Sequence, residues 1–552
     1  MFIFAIFFRL YLQLQSYIFI CYNTKNFQGG IIMIPKLSEM TFDQKIGMVL
    51  CARRCGYAAE FEETLELIKK RAVGCVQIPL NAKTEEYVRR IREVADYPVL
   101  LINDMEQGNP LSEYPRIPAI ALAAANNKEY TKSFAKGIVS SAKKMDIDGI
   151  WGPVVDLHFC GSCNRNYGDS PESVLEVTEV INQLFVDNGF MGTSKHYPGG
   201  HDMPYDSHMV ESYSDLDEEQ LINLTLVPYK KLMEKGLLNA IMTHHCTHPK
   251  IDPDYPATLS KKVLGIIRRE GFDGVIFTDS LAMMGILQKY GEGPAMGLAF
   301  DAGADIILPN YRTPISEVIR MMKENFENGM FSEERLDEAV RRILTIMEFV
   351  EAKKNVIPEM TEQDVENLKN ITRDCITAVT DEGVKACLGD KEKRRLFVIV
   401  TDNNFSANEP AMEITEGKWY NPHTISEKIK KEFPGSDIIF VPEFATAGEN
   451  EKVLLAATKH DEVVLVTYCA TACYLGTDCM TRRTEMLLNC LIMSGKVSAL
   501  LHYGNPHAVE PVQHVKRVIF AYNSPASLEP AIDVLAGNIE AKGKLPIKVD
   551  LQ

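Results

Sequence analysis

Short apolar runs alternate with longer amphipathic segments between Lys45 and Asn310. Each run is followed by residues with helical spacing or by a long polar loop, the pattern typical of repeated β-α units around a parallel sheet. The runs that predict strands are residues 47–52, 73–78, 99–103, 149–154, 192–196, 240–244, 275–278 and 306–309. Because these runs number eight, the pattern predicts a closed (β/α)8 TIM-type barrel.

Strand-like runs return after Arg395 as L-F-V-I-V, D-I-I-F-V, E-V-V-L-V-T-Y, V-S-A-L-L-H-Y and R-V-I-F-A-Y. Helical segments separate them, so this part is predicted to be an α/β sandwich domain with a mainly parallel sheet between two helical layers. It has neither G-x-G-x-x-G after its first strand nor G-x-x-x-x-G-K-[ST], so nothing indicates nucleotide binding. The predicted organisation is an N-terminal extension (1–32), a barrel (33–350), a charged linker (351–390) and the sandwich domain (391–552).

The first 22 residues are rich in Phe, Ile and Leu, but Arg9, Gln13 and Gln15 interrupt them. An unbroken apolar span of about 20 residues is therefore missing. A basic start and a small-residue cleavage site are missing as well. We interpret residues 1–32 as a non-native or disordered extension, with the functional chain beginning near Met33; a membrane anchor is the second interpretation. We expect a cytoplasmic protein without stable membrane association.

Composition narrows the classes of partner. Of the 552 residues 46% are hydrophobic and 24% charged, as in ordinary globular proteins with a large core. The formal net charge of −16 argues against nucleic acid as a partner, because binding to phosphates needs a basic face. The 13 cysteines are scattered along the chain, which suits reduced thiols in a cytosol.

Two groups of residues could suggest a metal site. Cys160 and Cys163 form a C-x-x-C, either a redox pair or half of a metal site, but a second C-x-x-C is missing and incidental thiols are the better interpretation. The second group comprises His244, His245, Cys246 and His248. The spacing of these residues does not match the ligand spacing of a known closed zinc site. We therefore expect neither a metal nor a cofactor.

Polar side chains follow several of the predicted barrel strands. Asp104 follows the third strand, Lys195 and His196 end the fifth, His245 follows the sixth, and Asp279 follows the seventh. In α/β barrels the active site lies at the carboxyl ends of the strands. The sequence thus predicts that these side chains meet at one face of the barrel.

The stretch after the fifth strand, K-H-Y-P-G-G-H-D-M-P-Y-D-S-H, contains an unusual number of titratable groups. In an extended segment Asp206 and His208 face the same side. The carboxylate can then hold the imidazole in one tautomer and support its protonated form, which suits a proton donor or acceptor. The alternative is an Asx-type loop residue beside an exposed histidine, and D-S-H alone favours it.

Asp279 lies in G-V-I-F-T-D-S-L, where an apolar strand ends in a polar residue. A carboxylate fixed there could be a nucleophile, or could stabilise a cationic transition state. Alternatively, Asp279 caps a helix that starts near Leu281, and the local sequence favours this second interpretation.

For other polar residues the local sequence allows more than one role. Arg165, in N-R-N-Y-G-D-S-P, offers a fork of donors, but it could equally brace its loop against Asp169. Lys195 and His196 could bind hydroxyls, a carboxylate or a phosphate, or form a structural ion pair in the barrel mouth. Asp104 offers an acceptor for two vicinal hydroxyls.

Taken together, these motifs resemble glycoside hydrolase family 3. The segments occur in the order D-x-E, N-R-x-Y-G-D-x-P, K-H-Y-P-G, D-S-H, P-A-T-L-S and G-F-D-G-V-I-F-T-D, over about residues 40–310. Within the family, the chain is most similar to the bacterial β-N-acetylhexosaminidase branch, which has K-H-F-P-G-H-G with D-S-H at the same offset. That branch includes cytoplasmic enzymes of peptidoglycan recycling. L-H-Y-G-N-P and G-K-L-P-I-K-V look like the family's second domain.

The resemblance implies a retaining mechanism through a covalent glycosyl-enzyme, acting on a small carbohydrate that ends in N-acetylglucosamine or a near relative. It implies Asp279 as nucleophile, His208 as general acid/base and Asp206 as its partner. The positions that it implies for substrate binding are Asp104, Arg165, Lys195, His196 and His245. With a histidine as acid/base, the rule that relates carboxylate separation to stereochemistry does not transfer directly.

The chain departs from the family pattern near the site. Gln107 and Asn109 stand in D-M-E-Q-G-N where the family has D-Q-E-G-G-R. The order Gly200-His201 replaces His-Gly, and Ser280 replaces the second Asp of S-D-D-L. These changes leave open whether the substrate is muropeptide-like, chitin-like or a plain β-glycoside.

Three other functions stay open on the same fold. A phosphorylase is one, because a neutral histidine acid/base repels an incoming phosphate less than a carboxylate does. A β-glucosidase or β-xylosidase is the second, and a non-catalytic sugar-binding protein is the third. The oligomeric state does not follow from the sequence.

Overall fold

The computed structural model describes residues 26–27, 30–31, 33–53, 56–157, 165–200, 203, 205–402, 420–469, 479–522 and 524–551. Most of the predicted extension over residues 1–32 lies outside these ranges, apart from a short antiparallel pair of Asn26–Phe27 with Gly30–Ile31. Cys160, Cys163 and His201 also lie outside the described residues.

One curved sheet of seven parallel strands forms the core of the N-terminal domain. Each strand pairs with the next along the chain, in the order Cys51–Ala52, Cys75–Gln77, Leu100–Asn103, Gly149–Ile150, Met191–Tyr197, Ala240–Thr243 and Val275–Phe277. Parallel bridges join Phe277 to Ile306 and Leu50 to Ile307, which link the last strand to the first. The sheet is therefore consistent with the predicted α/β barrel.

Amphipathic helices cover this sheet. Helix Thr84–Val94, for example, buries Tyr87, Val88 and Ile91 against the core and leaves most of its charged side chains exposed. The other helices of this domain are Phe42–Met48, Ala58–Lys69, Ala119–Ala125, Lys128–Lys144, Pro171–Asp187, Glu218–Asn223, Val227–Glu234, Lys261–Arg269, Met284–Tyr290, Glu292–Ala302, Ile315–Glu327 and Glu333–Ala352.

The first predicted strand begins too early. Residues 47 and 48 belong to helix Phe42–Met48, because Thr41 and Gln44 form a capping box that starts a helix there. The strand itself is limited to Cys51–Ala52.

A small three-stranded sheet lies beyond the Ala240–Thr243 strand. Cys246–His248 is its middle strand, with Ser212–Tyr213 parallel on one side and Asp252–Pro256 antiparallel on the other. This sheet anchors the end of the loop that carries Asp206 and His208.

A second domain contains a separate six-stranded sheet. Its strand order is Thr377–Thr380, Arg517–Ala521, Val497–Gly504, Val463–Cys469, Leu396–Thr401 and Asp437–Pro442, in which only the first pair is antiparallel. The helices that accompany it are Pro422–Glu432, Ala447–Thr458, Arg482–Met493 and Leu528–Ala536. All five apolar runs predicted as strands in this domain are strands.

The segment predicted as a linker, residues 351–390, contains two regular elements. Helix Glu362–Asp374 packs on helix Lys128–Lys144, where Ser133 and Lys136 both donate to Asp364 at 2.9 and 2.6 Å. Thr377–Thr380 is the antiparallel edge strand. The edge strand gave no strong local signal because its partner lies far along the chain. In the described part of the chain, no helix has both the length and the apolarity needed to cross a membrane.

Candidate active site

A cavity of about 350 Å³ lies at the carboxyl ends of the barrel strands. Its wall includes residues that directly follow or end these strands, such as Arg53, Trp151 and Leu308. Six of the eight predicted site residues also line it, namely Asp104, Arg165, Lys195, His196, His208 and Asp279. The structure thus brings together side chains that are far apart in the sequence.

Lys195 joins the carboxylates that follow the third strand. Its Nζ lies 2.8 Å from Asp104 Oδ1 and 2.9 Å from Glu106 Oε2. On the other side of Glu106, Arg165 donates from Nε at 2.5 Å and from a terminal nitrogen at 3.0 Å. Two cations therefore share the buried Glu106 carboxylate, while the Asp104 side chain is 55% exposed and keeps acceptor capacity for a ligand.

This network sets the charges of its members. Burial opposes ionisation of Glu106, but the positive charges of Arg165 and Lys195 outweigh it and hold the pKa of Glu106 well below its usual range. Burial likewise opposes the charge on Lys195, but Asp104 and Glu106 raise the pKa of Lys195 above its ordinary value. Glu106 and Lys195 are thus both charged at neutral pH.

His196 is oriented by Asp156. The Nδ1 of His196 lies 2.7 Å from Asp156 Oδ2, and the main-chain nitrogens of His196 and Gly200 both donate to Asp156 Oδ1 at 2.9 Å. With Nδ1 bound to the carboxylate, Nε2 points towards Asp279, whose Oδ2 is 3.9 Å away. That distance is too long for a hydrogen bond, so the contact is electrostatic.

Asp279 is fixed beyond the seventh strand. Its Oδ1 accepts a hydrogen bond from the main-chain nitrogen of Ser280 at 2.6 Å. Burial opposes ionisation, but His196, His245 and His208 together hold the pKa of Asp279 below its usual range. The carboxylate is therefore ionised at any pH near neutrality. The alternative role as a helix cap near Leu281 is wrong, because the next helix is Met284–Tyr290, preceded by Met283.

His208 is held by Asp206 in two ways. Asp206 Oδ1 lies 2.7 Å from the ring Nδ1 and accepts from the main-chain nitrogen of His208 at 2.9 Å. The second bond is an Asx turn, so Asp206 combines the loop role of the alternative interpretation with the predicted contact to the imidazole. Asp206 supports His208, and only His208 lines the cavity. With Nδ1 bound to Asp206, Nε2 is the ring nitrogen that lies away from this carboxylate.

Comparison with known families identifies the chain. Residues 41–346, more than half of its length, match the Glycosyl hydrolase family 3 N terminal domain. The chain belongs to glycosyl hydrolase family 3. The resemblance of its motifs is thereby confirmed, and the protein is a glycoside hydrolase.

Curated relatives of this glycoside hydrolase are named beta-hexosaminidase. One, from Actinobacillus pleuropneumoniae serotype 5b (strain L20), is 31% identical over 265 residues, which are 45% of this chain and 76% of the relative. Another, from Haemophilus influenzae, is 28% identical over 303 residues, which are 51% of this chain and 86% of the relative.

Solved structures resemble the whole hydrolase. A glycoside hydrolase family 3 beta-N-acetylglucosaminidase from a Paenibacillus species is 24% identical with a TM-score of 0.75, covering 93% of this chain and 100% of that chain. A beta-glucoside phosphorylase is 22% identical with a TM-score of 0.76, covering 93% and 95%. At these identities the similarity supports the fold of both domains.

His245, predicted to bind substrate, lies behind the cavity wall. Its Nδ1 is 2.8 Å from the Thr258 hydroxyl and its Nε2 is 3.0 Å from the carbonyl oxygen of Ser280. Both ring nitrogens are thus engaged within the hydrolase, and burial lowers the pKa of His245. In this position the ring supports the loop of Asp279.

Arg165 was expected to bind a ligand or to brace its loop against Asp169. Its guanidinium binds Glu106, and Asp169 accepts from the main-chain nitrogen of Lys548 at 2.6 Å. Arg165 still lines the cavity. It can therefore reach a ligand from a fixed position.

Sequence reasoning missed Glu106, Asp156 and Arg53. The D-M-E motif contained Glu106, and V-V-D at the end of the fourth predicted strand was a signal for Asp156. Arg53 follows the first strand; it donates to the Ser280 hydroxyl at 2.6 Å and to the carbonyl oxygen of Pro309 at 2.8 Å. In the described residues, no group of three or more His, Cys, Asp or Glu side chains is arranged to hold a metal ion.

Proposed function

We propose that this hydrolase is a retaining β-N-acetylglucosaminidase, which removes terminal N-acetyl-β-D-glucosamine from glycosides through a covalent glycosyl-enzyme. One observation carries the proposal: an ionised Asp279 shares a cavity with His208, whose far ring nitrogen is held by Asp206. A fixed carboxylate and a fixed imidazole supply a nucleophile and a proton donor on one substrate.

The sugar would be held opposite the nucleophile. Asp104 accepts from sugar hydroxyls with the carboxylate capacity that Lys195 leaves free. Lys195, Arg165 and His196 bind other oxygens of the same ring. Because Glu106 and Asp156 fix these side chains, little conformational freedom is lost when the sugar binds.

In the first step a carboxylate oxygen of Asp279 attacks the anomeric carbon. The new carbon–oxygen bond forms as the bond to the leaving group breaks, and the Nε2 proton of His208 passes to the leaving oxygen. Asp206 stabilises the imidazolium before transfer and keeps the proton on the nitrogen that faces the substrate.

In the second step water attacks the anomeric carbon from the side that the leaving group vacated. Neutral His208 accepts a proton from this water at Nε2, and Asp279 leaves as a carboxylate. Two inversions give net retention. His208 thus changes from acid to base and ends in its starting state.

A panel of aryl β-glycosides tests the proposal. We expect cleavage of the N-acetylglucosaminide in preference to the glucoside and xyloside, with the β-anomer released first in an NMR time course. Asp279→Ala should abolish turnover, and a slowly hydrolysed fluorinated substrate should leave its sugar on the peptide containing Asp279. Full activity of Asp279→Ala, or release of the α-anomer, would contradict the proposal.

The domain architecture, the sugar released and the natural substrates are proposed from the same resemblance. We propose an eight-stranded barrel over residues 33–350, which the bridges at Ile306 and Ile307 support, and a sandwich domain over residues 391–552. The relatives named beta-hexosaminidase support an N-acetylhexosamine as the sugar released. We propose cell-wall or chitin-type fragments in the cytoplasm as the substrates.

A phosphorylase in the same cavity is the second candidate. Arg53 and Arg116 line the cavity, and among the described residues neither forms an ion pair with a carboxylate. Two such guanidinium groups suit an incoming phosphate, and a structural neighbour is a beta-glucoside phosphorylase. Product analysis separates the two: a sugar 1-phosphate formed only with phosphate present supports phosphorolysis, and free sugar at the same rate with and without phosphate supports hydrolysis.

A further inference from the structure

Exposed apolar side chains are concentrated in the segment of residues 205–213, which contains His208. Tyr205, Met209, Val210 and Tyr213 are 56%, 48%, 49% and 44% exposed, whereas large apolar side chains in the rest of this domain are mostly buried. The rings of Tyr205 and Tyr213 lie 6.3 Å apart at 69°, so they form one aromatic surface. An exposed aromatic surface of this kind suits an interaction site.

The loop that carries this surface is anchored. The main-chain nitrogen of Met284 donates to the carbonyl oxygen of His208 at 3.0 Å. At the other end, Ser212 and Tyr213 pair with Cys246 and Thr247 in the small sheet. The tyrosines therefore keep a defined position relative to the imidazole.

This position has a consequence for substrate recognition. A general acid donates its proton to the oxygen of the leaving group. Tyr205 and Tyr213 are exposed on the loop of His208 and are not part of the cavity lining, so this position suits a contact with the leaving group rather than with the sugar that stays bound. We propose that Tyr205 and Tyr213 form the leaving-group subsite and select a saccharide there; this rests on the proposed glycosidase function. The apolar C–H face of a sugar ring stacks on an aromatic ring, and its hydroxyls suit the tyrosine hydroxyls.

Two substrates with the same glycone separate this role from catalysis. N,N′-diacetylchitobiose has a sugar as its leaving group, while methyl N-acetyl-β-D-glucosaminide has one that also needs protonation but is too small to stack on an aromatic ring. Tyr205→Ala and Tyr213→Ala should each lower the ratio of kcat/KM for the disaccharide to kcat/KM for the methyl glycoside by roughly threefold to tenfold. Tyr205→Phe and Tyr213→Phe should retain most of the ratio, since the stacking face is kept.

Met493→Ala is the matched control, because Met493 is 75% exposed and lies in the second domain. An equal fall with both substrates would mean that the tyrosines only support the loop of His208, and no change would mean that they do not meet the leaving group; either result overturns the proposal. If the wild-type protein cleaves the methyl glycoside but not the disaccharide, the subsite is overturned and the glycosidase function is retained. If it cleaves neither substrate, both proposals are contradicted.

Discussion

One oxygen of Asp206 binds His208 twice, at 2.7 Å through the ring Nδ1 and at 2.9 Å through the main-chain nitrogen. The ring contact determines which imidazole nitrogen faces the cavity. The main-chain contact forms the turn that places the ring there. The chemical and the structural role of this carboxylate are therefore combined in one atom, and a suitable substitution can separate them.

Asp206→Asn should separate the two roles. The amide oxygen can still accept from the main chain, but the neutral side chain no longer stabilises the imidazolium. We expect kcat/KM to fall about 10–100-fold for leaving groups that need protonation, and much less for an activated aryl leaving group. Steady-state kinetics over a series of aryl N-acetylglucosaminides measures this. Asp215→Asn, at an exposed position in the same part of the chain, is the control; an equal fall across the series would count against general acid catalysis by His208.

Glu106→Gln should affect both stability and binding. Glu106 is the shared counter-charge of the buried Lys195 and of Arg165, so its neutralisation leaves two cations with too little compensation. Breaking a buried ion pair typically costs about 3 kcal/mol. We expect a loss of that order in urea unfolding and a higher KM. Glu317→Gln, which breaks an exposed pair with Arg320, should leave the unfolding midpoint and KM as in the wild type.

The positions of most strands and of most predicted residues that line the cavity could be predicted because they depend on local pattern. Apolar runs gave the strands, and the polar residues at their ends include Asp104, Lys195 and Asp279. The supporting carboxylates could not be assigned in the same way. Glu106 and Arg165 are 59 residues apart and Asp156 and His196 are 40 apart, so their pairing depends on strand order in three dimensions.

The direction in which a side chain points could not be predicted from the sequence either. His245 has the same position at a strand end as residues that line the cavity, but its ring turns to Thr258 and the Ser280 carbonyl oxygen. The orientation of the His245 ring depends on these two neighbours, which other parts of the chain contribute. The edge strand Thr377–Thr380 was missed for a related reason, since only its pairing with Arg517–Ala521 makes it a strand.

Asp156→Asn should disturb substrate binding through His196. An amide in this position offers an N–H where the carboxylate offered an acceptor, so His196 either loses its bond at Nδ1 or changes tautomer and turns an N–H towards Asp279. We expect a fall in kcat/KM of about tenfold to 100-fold, because the electrostatic environment of Asp279 changes. A crystal structure of the variant with N-acetylglucosamine should show a rotated His196 ring. Wild-type kinetics for this variant would mean that His196 needs no fixed tautomer.

His248→Leu should make the protein less sensitive to acid. His248 is buried, burial lowers its pKa to about 4, and among the described residues neither ring nitrogen has a hydrogen-bond partner. Between this value and the unfolded value of about 6.5 the unfolded chain binds a proton that the folded chain does not, so stability falls as the pH falls through this range.

This difference in proton binding lowers the free energy of unfolding at pH 5 by about 2 kcal/mol relative to pH 8. Leucine binds no proton, so the substitution removes this effect. The difference in unfolding free energy between these two pH values should therefore shrink by about that amount in His248→Leu. Stability at pH 8 should change little or rise, because no hydrogen bond is lost and an unsatisfied polar ring is replaced by an apolar side chain of similar size. Urea unfolding at both pH values measures the effect, and Met493→Leu, at an exposed position that does not titrate, should leave the difference unchanged. An unaltered difference in His248→Leu would show that this histidine is protonated in the folded state as readily as in the unfolded chain.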